Sequence, residues 1–510
     1  MNSVSVPDHS SASLRQKIHA CWRGKAVGGT LGGPCEGVPG PLALTFYDPV
    51  PTRALPNDDL DLQVVWLHHL RTHGHRRVTP EILAEAWQRH VLFPFDEYAV
   101  ARRNRAFGLS GPAQGATDNF FGECMGGAIR SEVWACVAPG DPVRAAGFAW
   151  ADAVVDHAGD GVWAEVFNAA LQSAAFVESD RDRLLAIALE QLPDSSPLKA
   201  ALIDTIQWWA ETPDWREVRA RVIEKYFTGN FTHVVCNLCF QLIGWFDGGD
   251  DFGRAICTAV NCGQDTDCTG ATLGALLGIL RPDSIPAAWL DPIGEEVVLS
   301  AAIVDVPVPR DLSELTDWTM EVADQLRGFA PGLGAIAAHA PADAATSVRS
   351  WEARHALVDR APARLQGGGS EVCSAGGAAT TLHGAWFRTP AGRSAGVSHM
   401  YEVEFEVTAP VPLKLMVFAR SGARAWVDGR EVLGYDAATV AADPFAAPSF
   451  HRAGVAAVDL PPLVVGAHTL VFALAGAADG SPAEVVWGFA DSGSDLWAES
   501  VGPVSNVVRR

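Results

Sequence analysis

The hydrophobic pattern changes its period once along the chain, near residue 330, and this change limits the possible folds more than any other feature. Before it, apolar residues recur at the three-to-four-residue spacing of a helix, as in LRQKIHACWRGKAV (14–27). After it, apolar and polar residues alternate, as in MYEVEFEV (400–407), where three glutamates occupy one face. The chain therefore combines a helical region with a β-rich region.

Helical spacing predicts a long series of helices in the first region. The stretch TPEILAEAW begins one of them, because Thr79 suits an N-cap and Pro80 suits the first helical position. The others are predicted at 14–27, 142–156, 161–177, 181–192, 197–210, 215–226, 232–246 and 311–328. In the second region, turn residues separate five segments of strand length, which are 400–407, VPLKLMVF, ARAWV, HTLVFALA and AEVVWGFA.

The length of the chain, 510 residues, is too great for one hydrophobic core, since single domains seldom exceed about 300 residues. We therefore expect a multidomain protein. We place an all-α domain at 14–330, a linker at 331–370 and an all-β sandwich of the jelly-roll type at 371–510.

Charge and the absence of long apolar runs argue against several functional classes. The net charge of -22 repels phosphate backbones, so we expect no nucleic-acid partner. No apolar run reaches the roughly 18 residues of a membrane span, so we expect no membrane partner. The N-terminal residues lack the apolar core of a signal peptide, and the ten cysteines are therefore expected to be reduced thiols in a cytoplasmic protein.

Three segments of the helical region combine glycines with acidic residues near a helix end. GKAVGGTLGGPCEG (24–37) runs from a helix into a glycine-rich bend, which is followed by Glu36. PNDDLDLQVVW (56–66) opens an apolar helix, and NCGQDTDCTGATLGALLG (261–278) enters a glycine- and alanine-rich helix. Capping and the helix dipole explain one aspartate at each helix start. They explain adjacent aspartates less well, since a cap uses one side chain.

Crowded carboxylates repel one another unless some stay protonated or a cation lies between them. The candidates at the two helix starts are Asp58, Asp59, Asp265 and Asp267. Oxygen donors favour hard divalent cations such as Mg²⁺, Mn²⁺ and Ca²⁺, and several carboxylates together suit two ions. From the residues alone, helix capping and a metal centre remain equally open.

In this order, the segments GGTLGGPCE, NDDL and GQDTDC resemble the three motifs of the ADP-ribosylglycohydrolase family, over about residues 14–330. The resemblance implies an all-α fold with a binuclear Mg²⁺ or Mn²⁺ centre in a cleft. The implied enzyme hydrolyses an O- or N-glycosidic bond of a small-molecule glycoside or an ADP-ribosyl substrate. In that mechanism a metal-activated water attacks the anomeric carbon.

Residue by residue, the resemblance implies metal ligands and catalytic residues. The implied metal ligands are Asn57, Asp58, Asp59, Asp265, Asp267 and Cys268, and the implied catalytic residues are Glu36, Asp58, Asp59 and Asp265. Asn57 and Cys268 stand where the family has threonines, and Gly29 stands where it has an aspartate. Cysteine is a soft ligand that replaces a threonine oxygen poorly at Mg²⁺. These departures leave open whether one or two ions bind and whether the substrate is ADP-ribose.

The family also places a substrate-contacting loop where this chain has DNFFGECMGGAIR (118–130). The residues expected to contact substrate are Asp118, Asn119, Phe121, Glu123, His157 and Trp163. Each has a structural alternative, because polar loop residues cap helices, lone histidines are often structural and tryptophans usually pack in a core.

Two other functions stay open. The altered ligands and the β-sandwich favour a glycosidase or nucleoside hydrolase that uses the same cleft on a sugar other than ADP-ribose. Cys268 also allows a non-catalytic sugar- or nucleotide-binding protein whose metal site has decayed. The presence of all four aspartates and Glu36 argues against that third function.

Overall fold

The computed structural model describes residues 11–74, 77–93, 96–106, 109–117, 119–327, 370–373, 386–388, 398–419, 422–436, 456–475, 484–492 and 505–506. These residues form two compact units. The first unit contains residues up to 91 together with 123–327, and the second contains 92–122 together with the residues from 370 onward. The predicted domain limits of 14–330, 331–370 and 371–510 stay predictions, and the predicted linker lies almost wholly outside the described residues.

The described helices all precede residue 328, which confirms the predicted all-α region. In chain order they are α1 (Ser11–Gly32), α2 (Asp58–His73), α3 (Pro80–His90), α4 (Asp96–Ala106), α5 (Pro112–Ala116), α6 (Ser131–Val137), α7 (Pro142–Ala153), α8 (Asp160–Ala174), α9 (Arg181–Glu190), α10 (Pro197–Glu211), α11 (Trp215–Tyr226), α12 (Val234–Gly248), α13 (Phe252–Asn261), α14 (Thr266–Leu280), α15 (Ala287–Leu290) and α16 (Leu312–Arg327). Helices α4 and α5 belong to the second unit. None of the described helices is both long and apolar enough to cross a membrane.

Helix α1 continues through the glycines that were expected to form a bend, so that expectation is wrong. Gly24, Gly28 and Gly32 recur every four residues and face α14. A Cβ on Gly28 would overlap the carbonyl group of Gly270, and a Cβ on Gly270 would lie 2.6 Å from the carbonyl oxygen of Gly28. Glycine is needed here because the two helix backbones approach too closely to leave room for a side chain.

The facing residues also fix the direction of this packing. Gly24 faces Gly274, and Gly32 faces Thr266 at the start of α14. The two helices therefore run antiparallel, and the end of α1 lies beside the beginning of α14. Glu36 follows α1 by four residues, so the close contact brings it towards the acidic start of α14.

The described strands form two antiparallel sheets, which confirms the predicted β-rich region. In chain order they are β1 (Ser370–Cys373), β2 (Trp386–Arg388), β3 (Ser398–Val407), β4 (Leu413–Ala419), β5 (Gly422–Val427), β6 (Arg430–Asp436), β7 (Ala456–Asp459), β8 (Gly466–Ala475), β9 (Glu484–Asp491) and β10 (Ser505–Asn506). One sheet has the order β1-β3-β8-β5-β6, with β10 paired to β3, and the other has the order β2-β9-β4-β7. The two sheets share a core, in which the ring centroids of Phe405 and Phe489 lie 4.5 Å apart.

The contact between α1 and α14 predicts that Gly28→Ala lowers the free energy of unfolding by about 1–3 kcal/mol, because the added methyl group forces the two backbones apart. Urea unfolding followed by circular dichroism measures the change. Gly33→Ala is the matched control, since a Cβ on Gly33 meets nothing within 4 Å. Equal stability of the two variants would contradict the close packing.

Candidate metal centre

The first turns of α2 and α14 bring predicted ligands together. Asn57 caps α2, because its side-chain oxygen accepts a hydrogen bond from the backbone N–H of Asp59 at 2.7 Å. At the start of α14, the backbone N–H of Asp265 donates to Oδ1 of Asn237 on α12, at 3.2 Å. Nδ2 of Asn57 lies 3.5 Å from Oδ2 of Asp267, so the two helix starts are adjacent.

We use the name acidic cluster for Glu36, Asn57, Asp58, Asp59, Asp265, Asp267 and Cys268. Within it, two overlapping groups have ligand atoms within 4.8 Å of one another. The first group contains Asp59, Asp267 and Cys268, and the second contains Glu36, Asp265 and Asp267. Asp267 belongs to both groups. The structure thus brings together residues that are more than 200 positions apart in the sequence.

Burial controls the protonation of Asp59. Its side chain is almost fully buried, and burial is the largest cause that raises the pKa of Asp59 to about 7. The carboxylates of Asp58 and Glu132 raise this pKa further, while the ammonium group of Lys25 opposes them. Asp59 therefore binds a proton more tightly than an exposed aspartate does, even with Lys25 beside it.

The two carboxyls at the start of α14 also have raised pKa values. Burial places the pKa values of Asp265 and Asp267 well above the usual range, and the charge of Glu36 is the next largest cause. Glu36 remains accessible to solvent. The cluster thus has a buried interior and an edge that is open to solvent.

Two oxygens in the interior have no hydrogen-bond partner among the described residues. They are Oδ2 of Asp59 and Oδ1 of Asp267, both fully buried atoms. Leaving a buried acceptor unpaired costs about 1–3 kcal/mol, so such an atom usually faces a ligand or water. A divalent cation would pair both oxygens and relieve the repulsion between the carboxylates. The donor set, mainly carboxylate oxygens with one sulfur, fits such a cation.

A buried lysine holds the inner side of the cluster. Lys25 on α1 is 1% exposed, and its Nζ donates to the carbonyl oxygen of Ile129 at 2.7 Å. The same Nζ lies 3.5 Å from Oδ1 of Asp59 and 3.1 Å from Oε2 of Glu132. Gln63 donates to that Glu132 oxygen at 2.8 Å. This network could not be predicted from local sequence patterns, because Lys25 occupies an apolar helical stripe and its carboxylate partners come from α2 and α6.

A second buried network surrounds Arg130 and contains His157. The guanidinium of Arg130 lies 2.5 Å from Oδ1 of Asp156 and 3.0 Å from Oδ1 of Asp152. Nδ1 of His157 lies 2.8 Å from Asp156, and Nε2 accepts a hydrogen bond from the backbone N–H of Gly127. This pattern assigns the ring proton to Nδ1 of a neutral imidazole. His157 is thus buried in the Arg130 network, and its contact with substrate stays a prediction.

The other residues predicted to contact substrate occupy varied surroundings. Oε1 of Glu123 accepts a hydrogen bond from the backbone N–H of Asp160 at 3.0 Å, which caps α8, and Trp163 is buried in that helix. In the second unit, Asn119 accepts a hydrogen bond from the N–H of Phe121 at 3.1 Å. Asp118 lies outside the described residues. The roles of all these residues stay predictions.

The ADP-ribosylglycohydrolase family model matches residues 10–330, more than half of the chain. The chain therefore belongs to the ADP-ribosylglycohydrolase family, as its three motifs predicted, and its function is of the glycohydrolase type. A solved structure described as "ADP-ribosylglycohydrolase-related protein complex" is similar to this chain, with a TM-score of 0.42. The two are 20% identical over 62% of this chain and 99% of the other. No curated protein matches the chain.

The raised pKa of Asp59 predicts a pH dependence of stability in the presence of a chelator. A carboxyl that binds its proton more tightly in the folded chain stabilises the fold at low pH, and this stabilisation is lost as the pH rises through the folded pKa. For Asp59 the window runs from its ordinary value of 3.8 to about 7. Across it, urea titrations should show a larger loss of stability in the wild type than in Asp59→Asn. Parallel curves for the two proteins would contradict the burial of this carboxyl.

The Lys25 network predicts that Lys25→Met lowers the free energy of unfolding by about 3–5 kcal/mol, because it leaves buried Asp59 and Glu132 without their cation. Thermal unfolding measures the loss. Lys225→Met is the control, since Lys225 pairs with Asp204 at the surface and its removal should change stability little. If the two variants were equally stable, the buried ion pairs would contribute nothing.

Proposed function

We propose that the protein is a divalent-metal-dependent hydrolase of glycosidic bonds, of the ADP-ribosylglycohydrolase type, with the acidic cluster as its active centre. One observation carries the proposal. The starts of α2 and α14 meet, and each contributes a buried carboxylate oxygen that has no hydrogen-bond partner among the described residues. Membership of the family supports the reaction class.

The proposed ligands are the six residues that the family motifs indicated. They are Asn57, Asp58, Asp59, Asp265, Asp267 and Cys268. The oxygens of the five ligands other than Cys268 suit Mg²⁺ or Mn²⁺, and Ca²⁺ is the alternative with the same preference for oxygen. Because Asp267 belongs to both ligand groups, the cluster suits either one ion or two neighbouring ions.

The reaction needs an activated water and a proton acceptor. A bound divalent cation lowers the pKa of an attached water and polarises sugar oxygens. Glu36 is the proposed general base, because it is accessible to solvent and lies in one group with Asp265 and Asp267. It takes a proton as the water oxygen bonds to the anomeric carbon. The glycosidic bond breaks through an oxocarbenium-like state, and the leaving group takes up a proton.

Two features of the chain prepare this site. Lys25 holds Oδ1 of Asp59 and leaves Oδ2 available, so we assign it a positioning role. The first turns of α2 and α14 also present the positive ends of two helix dipoles, which stabilise the carboxylates there. We further propose that Glu123, His157 and Trp163, which belong to the same unit as the acidic cluster, contact the substrate.

The substrate class has one alternative with its own support. An ADP-ribosyl group is the first candidate because of the family. The motifs depart from those of the family at Asn57, at Cys268 and at Gly29, where a Cβ would lie 3.0 Å from Nδ2 of Asn57. Those departures favour a simple glycoside or a nucleoside as the alternative substrate in the same cleft.

Substituting Asp58 and Asp265 together by Asn should lower hydrolysis by about 100-fold or more, because each change removes a charged ligand and weakens metal binding. Release of ADP-ribose and release of free sugars from model glycosides are measured in parallel with Mg²⁺ or Mn²⁺. Asp182→Asn is the matched control, since Asp182 is an exposed acidic residue in the first turn of α9.

The two assays separate the candidate functions. Release of ADP-ribose alone supports the first substrate class, and release of simple sugars alone supports the alternative. Unchanged activity in the double variant would show that the acidic cluster is not catalytic. Ligand binding without hydrolysis of any substrate would favour the sugar- or nucleotide-binding function.

A further inference from the structure

The two ligand groups of the acidic cluster differ in their chemistry. The group of Glu36, Asp265 and Asp267 offers carboxylate oxygens alone, whereas the group of Asp59 and Asp267 includes the sulfur of Cys268. Cys268 lies in the first turn of α14 and is 7% exposed. Among the described residues, it is the cysteine that lies within metal-binding reach of two carboxylates.

The spacing of the sulfur group fits a single small ion. Its three ligand atoms lie within 4.8 Å of one another. Around a zinc-like ion, oxygen ligands lie at about 2.0–2.2 Å and sulfur at about 2.3 Å, so an oxygen and a sulfur on opposite sides are at most about 4.5 Å apart. Small side-chain rotations therefore suffice to bring all three atoms onto one ion. Asp59 and Asp267 also carry the two buried oxygens that have no hydrogen-bond partner among the described residues, which is a second, independent sign of a ligand at this position.

A thiolate changes which ion is preferred. Mg²⁺ binds oxygen and binds sulfur poorly, whereas Zn²⁺ and similar ions accept a mixed set of sulfur and oxygen ligands. We infer that Asp59, Asp267 and Cys268 bind a thiophilic divalent cation such as Zn²⁺, while Glu36, Asp265 and Asp267 form the position for a hard cation. The inference rests on the metal-binding role proposed above and adds the identity of one ion.

Binding at this position exchanges a proton for the metal. The S–H bond of Cys268 breaks, the S–metal bond forms and the proton leaves to solvent. Asp265 belongs only to the group that offers carboxylate oxygens, so the two groups are compatible with two different ions at adjacent positions.

The test uses the full-length protein after chelator treatment, titrated with Co²⁺ as a spectroscopic probe. We expect a near-ultraviolet sulfur-to-cobalt charge-transfer band in the wild type and its loss in Cys268→Thr and Cys268→Ser. Cys35→Ser is the matched control, because Cys35 is next to Glu36, lies outside both groups and should leave the band unchanged. In competition titrations of the wild type, Zn²⁺ should displace Co²⁺, and Mg²⁺ should not. Cys268→Thr should lower Zn²⁺ affinity by about 10-fold or more.

The outcomes distinguish this inference from the proposed function. Binding of Co²⁺ without a charge-transfer band, or a band that survives in Cys268→Thr, overturns the sulfur ligand and leaves an oxygen-only metal centre in place. Failure to bind Co²⁺, Zn²⁺, Mg²⁺ and Mn²⁺ alike overturns the metal centre itself. The wild-type spectrum and competition data decide between these cases even if both Cys268 variants fail to fold.

Discussion

The direct backbone contact between α1 and α14 is the constraint on which the rest of the helical unit depends. Gly24, Gly28 and Gly32 leave no side chain between the two helices, so the antiparallel register is fixed by main-chain atoms. This register brings Glu36 and the acidic start of α14 to one place. Helix α2 then adds its own acidic start through Asn57. A metal centre built from distant segments needs such a rigid base, because its ligands must converge to within a few tenths of an ångström.

Electrostatics set a second condition on the same region. Several carboxyls are buried together, and this burial raises the pKa values of Asp59, Asp265 and Asp267. Lys25 supplies a buried positive charge close to Asp59 and Glu132. Oδ2 of Asp59 and Oδ1 of Asp267 have no hydrogen-bond partner among the described residues. Further positive charge would offset the repulsion between these carboxylates. The proposed function gives this role to a divalent cation.

Periodicity and motif order were sufficient to predict the long elements and the acidic helix starts. The helical series, the longer strands and the pairing of two acidic segments all have signals within a few neighbouring residues. The expectation of a bend at Gly24 and Gly28 is wrong, because repeated glycines occur both in bends and at close helix contacts. Only the position of the partner helix, α14, distinguishes the two cases. Lys25, Glu132 and the surroundings of His157 depend on contacts between distant segments. Short strands such as β1 and β10 span too few residues to show alternation.

Gly24, Gly28 and Gly32 on α1 also restrict which substitutions this fold can accept. A glycine at which two main chains touch cannot be replaced by a larger residue. The contact between α1 and α14, which positions the acidic residues, therefore has little freedom to change. Gly40, in the segment after α1, is restricted in the same way, because a Cβ there would lie 2.7 Å from the carbonyl oxygen of Cys262. Substitutions that reshape this region are therefore tolerated only where two main chains do not touch.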